Sequence, residues 1–241
     1  MMILEYDGTG YHGWQYQSER ISIQQILEES IGKITQEIVR VIGSGRTDAG
    51  VHAMNQVANF MTNSRIKERN LLKGINSVLP RDIVIKDLME ADAGFHARYH
   101  AKSKVYLYQI VNRSERSALY RNFAWFVNRT LNVDQMREAA ILFMGTHDYS
   151  SFCASNCGIS NHVRTIKRVD IEQDQWGMLK VYVEADGFLK YMVRNIVGTL
   201  MEIGNGQRRP EDLGAIIAAK DRKRAGITAP SHGLFLKEVR Y

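Results

Sequence analysis

Strand-like segments alternate with amphipathic helical segments along the whole of this chain of 241 residues. In the clearest helical segment, residues 22–36, five Ile and Leu residues recur at helical spacing behind a serine suited to capping the helix. A second segment, residues 189–203, carries Met, Val, Ile and Leu on one helical face. A chain that mixes strand-like and helical segments throughout is predicted to form an α+β fold.

The other predicted elements follow the same alternation, and both halves of the chain mix strands and helices in a similar way. Strands are predicted at residues 3–6, 38–42, 56–61, 82–90, 104–111, 163–173, 178–185 and 234–239, and helices at 67–78, 134–144 and after Pro210. The charged segment HARYHAKSK, residues 96–104, is the best candidate for a boundary. We therefore expect two domains, residues 1–103 and 104–241.

Composition narrows the class of protein. Apolar residues make up 44% of the chain, charged residues 24%, and there are 3 prolines, which excludes disordered and collagen-like classes. The apolar runs are too short to span a membrane, and the N-terminal segment MMILEYDGTG has too few apolar residues for the central region of a signal peptide. We therefore expect a soluble cytoplasmic protein with no membrane partner. The net charge of +6 favours an anionic partner such as nucleic acid.

Cysteine is sparse, since Cys153 and Cys157 are the only two in the sequence. The count excludes a disulfide framework, and a cytoplasmic location disfavours any disulfide. With His147 and His162 the pair forms the pattern H-x5-C-x3-C-x4-H, which offers four residues of zinc-binding type. Because this spacing matches no common zinc module, free thiols are predicted, and a structural metal is the weaker alternative.

A glycine-rich loop, GSGRTDAGVHA at residues 43–53, lies between apolar segments. Its glycines permit unusual backbone angles and close approach of a ligand, so Arg46 and Asp48 could be presented in an uncommon geometry. An ordinary turn, in which Asp48 caps its own backbone, explains the loop equally well. Neither GxxxxGK[ST] nor a GxGxxG that opens a helix is present, so no nucleotide cofactor is expected.

Six segments in the same order through almost the whole chain resemble the tRNA pseudouridine synthase A family. They are YDGTGYHGWQ (6–15), GRTDAGVHA (45–53), FHAR (95–98), KVYLY (104–108), MVRNIVG (192–198) and AAKDR (218–222). The resemblance implies a pseudouridine synthase fold, in which two mixed α/β domains with largely antiparallel sheets meet at a central catalytic cleft. Two departures are that the chain starts almost directly at its first strand, and that Tyr16 stands where this family often has a basic residue.

The resemblance also implies an activity, the isomerisation of uridine to pseudouridine at positions 38, 39 and 40 of the tRNA anticodon stem-loop. Asp48 would be the nucleophile, and Arg46 would hold the flipped nucleotide. Tyr106 would lie against the uracil and assist proton removal, Arg194 would pair with Asp48, and Leu234 would form an apolar wall of the pocket. The family implies no cofactor and no metal, and its expected partners are tRNA and a second copy of the chain.

Each of these residues also has a purely structural explanation. Tyr106 could pack in a sheet, Arg194 could be solvated, and Leu234 could be a core leucine; His52 and His96 are better explained as structural histidines. A dense group of basic residues could follow phosphates or form a solvated face: Arg208, Arg209, Lys220, Arg222, Lys223 and Arg224.

Two other functions remain open from the residues alone. One is a metal-dependent hydrolase with Asp7, Asp48 and His52 as ligands, since carboxylate and imidazole groups near glycine turns can hold a divalent ion. The other is an RNA-binding module without catalytic activity.

Overall fold

The computed structural model describes residues 1–155 and 157–241. The chain divides into two compact units, Met1–Lys102 with Phe235–Tyr241, and Ser103–Leu234. The first division lies next to the predicted boundary between residues 103 and 104. Residues Phe235–Tyr241 belong to the first unit, whereas the predicted limits put them in the second domain. The last strand of the chain pairs with the strand His52–Asn59 of the first unit.

The first unit is built on a mainly antiparallel sheet. Its strands are β1 (Met2–Tyr6), β2 (Ile42–Gly43), β3 (His52–Asn59), β4 (Ile83–Leu88) and the chain's last strand, β10 (Leu234–Arg240). They lie in the order β4-β1-β3-β10, with β2 beside β3. The β3–β10 pair is parallel, with Phe235 opposite His52, and the other pairs are antiparallel.

Two helices belong to this unit, α1 (Ile23–Thr35) and α2 (Glu68–Val78). The Ser22 side chain accepts a hydrogen bond from the Gln25 backbone N–H, so it caps α1 as predicted. Ile23, Leu27 and Ile31 are fully buried. The prediction of an amphipathic helix over residues 22–36 is confirmed.

The predicted strand at residues 38–42 is wrong over most of its length, because only Ile42–Gly43 pairs with β3. The Ile38 side chain is exposed. The Val41 N–H donates to Glu28 Oε1 of α1 at 2.9 Å, and Arg40 forms an ion pair with the same carboxylate. The Glu28 carboxylate therefore accepts the hydrogen bond of a backbone N–H that could otherwise donate to a neighbouring strand.

The strands of the second unit are mainly antiparallel. Its strands are β5 (Ser103–Asn112), β6 (Trp125–Val127), β7 (Gly145–Asp148), β8 (Val163–Gln173) and β9 (Met178–Ala185). They run in the order β5-β9-β8-β7, and β6 adds in parallel to β5. Strands β5, β8 and β9 confirm the predicted segments, whereas the short β6 and β7 were not predicted. The mixture of helices with mostly antiparallel strand pairing confirms the predicted fold class.

Three helices complete this unit: α3 (Val133–Leu142), α4 (Met192–Gly204) and α5 (Asp212–Ala219). Helix α4 is mostly buried, and the segment 225–229 crosses it closely at Gly198. A Cβ at this position would lie 1.7 Å from the Ile227 carbonyl oxygen, so only glycine permits the approach. Within the part of the chain that the structure describes, no helix is long and apolar enough to cross a membrane.

The prediction of free thiols is wrong for this structure, because Cys153 and Cys157 form a disulfide. The count of cysteines argues against a framework of several bridges, but it does not argue against one local bridge. The short 3-10 turn at Ser150–Phe152 ends next to Cys153, and the chain then brings Cys157 back to it.

Candidate functional site

The glycine-rich loop lies between β2 and β3 of the first unit, and side chains of β3 fix its beginning. Ser44 Oγ donates to Gln56 Oε1 at 2.6 Å, and Gln56 Nε2 donates to the Gly45 carbonyl at 2.9 Å. Ser44 and Gln56 are both buried. The glycines therefore belong to a loop whose start is held by two hydrogen bonds to the buried Gln56 side chain, which raises the free-energy cost of moving the loop.

Thr47 anchors the middle of the loop. A hydrogen bond of 2.8 Å joins its Oγ1 to the Tyr6 hydroxyl, and its carbonyl accepts from the Trp14 N–H at 3.0 Å. Burial raises the pKa of Tyr6 well above its ordinary value, so the phenol stays neutral in this contact. The backbone immediately before Asp48 is thereby held through both the side chain and the carbonyl of Thr47.

The two polar residues of the loop have different surroundings. Arg46 is exposed, whereas Asp48 is half-buried. The loop turns immediately after Asp48, since the Val51 N–H donates to the Asp48 carbonyl at 3.1 Å and Gly50 has a φ of 74°. That backbone region suits glycine. The loop therefore presents a partly sheltered carboxylate two residues after an exposed guanidinium.

The first unit does not favour the hydrolase alternative. His52 is buried, accepts a hydrogen bond at Nδ1 from the Gly8 N–H, and stacks on Phe235 with ring centres 4.7 Å apart. Asp7 Oδ1 accepts from both the N–H and the hydroxyl of Thr9. Asp7 Oδ1 lies 3.1 Å from His52 Nδ1, but among the described residues Asp48 does not join these two in one group of converging ligand atoms. His52 has the contacts of a structural histidine.

In the second unit, Tyr106 lies on β5 and is 6% exposed. Its ring contacts the Phe188 ring edge-on, with centres 4.9 Å apart. Tyr108, two residues along the strand, is fully buried and donates its hydroxyl hydrogen to the Pro230 carbonyl at 2.8 Å. The Tyr106 ring is therefore held by packing, which suits an aromatic surface that must keep one orientation.

Arg194 lies in the first turn of α4 and is partly buried. Its Nε donates to the Ala229 carbonyl at 2.7 Å, and its guanidinium lies over the Tyr191 ring, 4.7 Å from the centre. The Ala229 N–H in turn donates to the Arg194 carbonyl at 3.1 Å. The side chain is thus held in a fixed direction rather than freely solvated.

The segment that holds Arg194 is itself held by Arg222. The Arg222 guanidinium donates to four oxygen acceptors, which are the carbonyls of Ala225 and Gly226 and the side chains of Asn195 and Thr228. Burial lowers the pKa of Arg222. Arg222 belongs to the basic group that could follow phosphates or form a solvated face, but its side chain is directed into the protein.

Other members of the basic group are paired with acids. Lys220 forms an ion pair of 3.0 Å with Asp148, and Arg208 contacts Glu202 at 2.5 Å. A hydrogen bond from Ser150, together with Lys220, lowers the pKa of Asp148 to about 2. Lys223 and Arg224 are exposed, so these two are better placed than Arg222 to meet a phosphate.

Leu234 is 5% exposed and follows a short 3-10 turn at Ser231–Gly233. In this turn, burial and the nearby charge of Arg194 lower the pKa of His232, so the imidazole favours its neutral form. The position of Leu234 is equally compatible with a pocket wall and with a core residue.

The structure thus places Asp48 and Arg46 together in the first unit, and Tyr106, Arg194 and Leu234 in the second. Sequence reasoning did not identify the supporting residues Tyr6, Thr47, Asn195 and Thr228, or the inward direction of Arg222. Their signal was weak, because a buried hydrogen-bonding role has no characteristic local pattern in a sequence.

Comparison with known proteins gives an independent result. A family model described as "tRNA pseudouridine synthase" matches residues 2–100 and 139–241. The chain is 48% identical over 240 residues to "tRNA pseudouridine synthase A" of Acetivibrio thermocellus, and 47% identical over 240 residues to "tRNA pseudouridine synthase A 2" of Clostridium perfringens. It is 45% identical over 241 residues to "tRNA pseudouridine synthase A" of Thermoanaerobacter sp. strain X514. Each alignment covers 100% of this chain and 98% of the relative. The chain therefore belongs to the tRNA pseudouridine synthase A family.

Proposed function

We propose that this chain isomerises uridine to pseudouridine in tRNA, with Asp48 as the nucleophile. The observation that carries the proposal is the half-buried Asp48 on a loop held by Tyr6, Trp14 and Gln56, with the exposed Arg46 two residues away. Membership of the family and the full-length relatives support the substrate class.

The reaction is an isomerisation without net change in atoms or electrons. The bond between uracil N1 and ribose C1′ breaks, the base rotates, and a bond from C5 to C1′ forms. C5 then loses its proton, and N1 ends with one. A carboxylate that bonds transiently to the nucleotide divides this exchange into easier steps, and it does so whether it attacks the ring or the sugar.

The other residues have separate roles in this proposal. Arg46 holds the flipped nucleotide, because a guanidinium can stack on a base and bind phosphate. The Tyr106 ring lies against the uracil, and its hydroxyl assists proton removal from C5. Arg194 keeps Asp48 ionised and directed toward the substrate, and Leu234 lines the base pocket.

The finer parts of the proposal follow the resemblance to the family. The target uridines are those at positions 38, 39 and 40 of the anticodon stem-loop, no cofactor or catalytic metal takes part, and the enzyme works as a cytoplasmic homodimer. In the second unit, the exposed apolar side chains of Ile141, Leu142 and Met144 are of the kind that a subunit interface covers. Sedimentation of the pure protein at several concentrations measures the oligomeric state.

The decisive experiment compares two aspartates changed in the same way. Asp48→Asn removes the attacking oxygen anion but keeps the shape of the side chain, so tRNA should bind while no pseudouridine forms in a single turnover. Asp7→Asn is the matched control, and it should form product at close to the rate of the unchanged protein. Arg46→Ala should form product slowly, because it removes the holding group and leaves the nucleophile.

Nucleoside analysis of the tRNA measures all three variants, and filter binding reports RNA affinity. Product from a verified Asp48→Asn preparation would show that another group is the nucleophile. A metal-dependent hydrolase would cleave the RNA and depend on Asp7, whereas a pure binding module would form no pseudouridine in any variant.

A further inference from the structure

One cluster of side chains in the second unit has no part in the proposed chemistry. Cys153, Cys157 and His162 bring their potential ligand atoms within 4.8 Å of one another. Cys153 is buried, and Cys157 and His162 are partly buried. We propose that these three residues form a binding site for a zinc-class divalent ion when the disulfide is reduced.

The ligand chemistry supports this site. Two thiolates and an imidazole are the donors that zinc prefers, and the C-x3-C spacing lies within the range usual for structural zinc sites. In a tetrahedral site with bonds of about 2.0–2.3 Å, two ligand atoms lie roughly 3.5–3.8 Å apart. Ligand atoms within 4.8 Å of one another therefore need only small side-chain movements to close around one ion. Water supplies the fourth ligand.

The spatial cluster differs from the pattern seen in the sequence. The pattern H-x5-C-x3-C-x4-H includes His147 as its first member. In the structure, His147 Nε2 contacts the Met144 carbonyl at 3.1 Å, and His147 is not a member of the group of converging ligand atoms among the described residues. The site therefore uses three of the four residues, and His147 provides an internal control.

The cluster borders the helix that carries Arg194. The Ala154 N–H donates to the Lys190 carbonyl at 2.9 Å, and Asn195 Nδ2 donates to the Phe152 carbonyl at 2.7 Å. These bonds tie the backbone on each side of Cys153 to residues before and within the first turn of α4. An ion bound at the cluster would brace this end of the helix without touching the reacting atoms.

Metal binding and the disulfide exclude one another. A trialkylphosphine reduces the disulfide to two thiols and, with the oxygen of one water molecule, becomes the phosphine oxide. The two thiols then lose their protons as the two metal–sulfur bonds form, so binding weakens as pH falls. The oxidised protein holds the same loop with a covalent bond instead of an ion.

The test uses the full-length protein, reduced with phosphine and transferred to oxygen-free buffer. Titration with zinc alone, with elemental analysis after gel filtration, should give one ion per chain for the unchanged protein and for His147→Gln. His162→Gln should bind at least tenfold more weakly, since even loss of an outer-shell partner costs roughly 10- to 100-fold in affinity. Cys157→Ser should retain no ion. Bound zinc should also slow alkylation of Cys153 and Cys157 in the unchanged protein.

Several results would overturn the proposal. One is less than a tenth of an ion per chain in the reduced, unchanged protein at micromolar free zinc. Another is equal zinc affinity in His162→Gln and the unchanged protein, and a third is loss of zinc in His147→Gln. Circular dichroism of every variant separates loss of a ligand from loss of the fold.

Discussion

Replacing Arg222 by methionine tests whether this arginine is a structural donor or an RNA contact. Three of its hydrogen bonds are short: 2.8 Å to the Gly226 carbonyl, 2.9 Å to Thr228 Oγ1 and 3.0 Å to Asn195 Oδ1. A fourth, to the Ala225 carbonyl, is 3.3 Å. Methionine keeps the unbranched chain and removes all the donors.

The expected loss follows from these bonds. At about 1 kcal/mol net for each short bond, the free energy of unfolding should fall by about 3 kcal/mol, with a range of about 2–4 kcal/mol. For a chain of this length the midpoint of thermal unfolding should fall by roughly 6–12 °C. The change should also slow pseudouridine formation, because the segment that Arg222 holds contains Ala229, the hydrogen-bond partner of Arg194.

Lys223→Met is the matched control, since it makes the same side chain at the neighbouring exposed position. Its free energy of unfolding should change by no more than about 0.5 kcal/mol. Urea unfolding followed by circular dichroism measures both variants. If Arg222→Met is as stable as Lys223→Met but weakens tRNA binding, the guanidinium faces the RNA and the structural argument fails.

Two further predictions concern the loop and the basic surface. Tyr6→Phe should lower the free energy of unfolding by about 1–2 kcal/mol and slow single-turnover product formation up to roughly tenfold, because Thr47 loses its hydrogen-bond partner. The control Tyr16→Phe, at an exposed position, should change neither quantity. Equal behaviour of the two variants would disprove the anchoring role of Tyr6. Joint replacement of Lys223 and Arg224 by glutamine should reduce the slope of log K against log salt by roughly 1–2 units, in tRNA binding measured from low to moderate salt. An unchanged slope would mean that neither residue meets a phosphate.

Much of the fold could be predicted from local periodicity. The helix α1 appears in the sequence as a serine cap followed by regularly spaced Ile and Leu, and the structure has that helix and that cap. Strands β8 and β9 have the same limits in the prediction and in the structure. These elements were predictable because their caps and apolar faces depend on neighbours a few residues away.

Local sequence pattern was insufficient to predict the structure where residues distant along the chain compete for the same backbone hydrogen bond. The apolar segment at 38–42 has high β-propensity, yet the Val41 N–H donates its hydrogen bond to Glu28 of α1. Most of the predicted strand therefore does not form. The two cysteines meet because a loop turns back, which a count of cysteines does not detect.

The sequence by itself determined the alternation of strands and helices, the position of the glycine-rich loop at a strand end, and the motifs that resemble one enzyme family. These properties depend on residue type and on spacing along the chain. The tertiary structure alone decided that Tyr6 holds Thr47, and that Arg222 is directed inward while Lys223 beside it is exposed. A side chain's partners depend on which distant backbone groups the fold leaves within hydrogen-bonding distance, and that information is absent from local sequence.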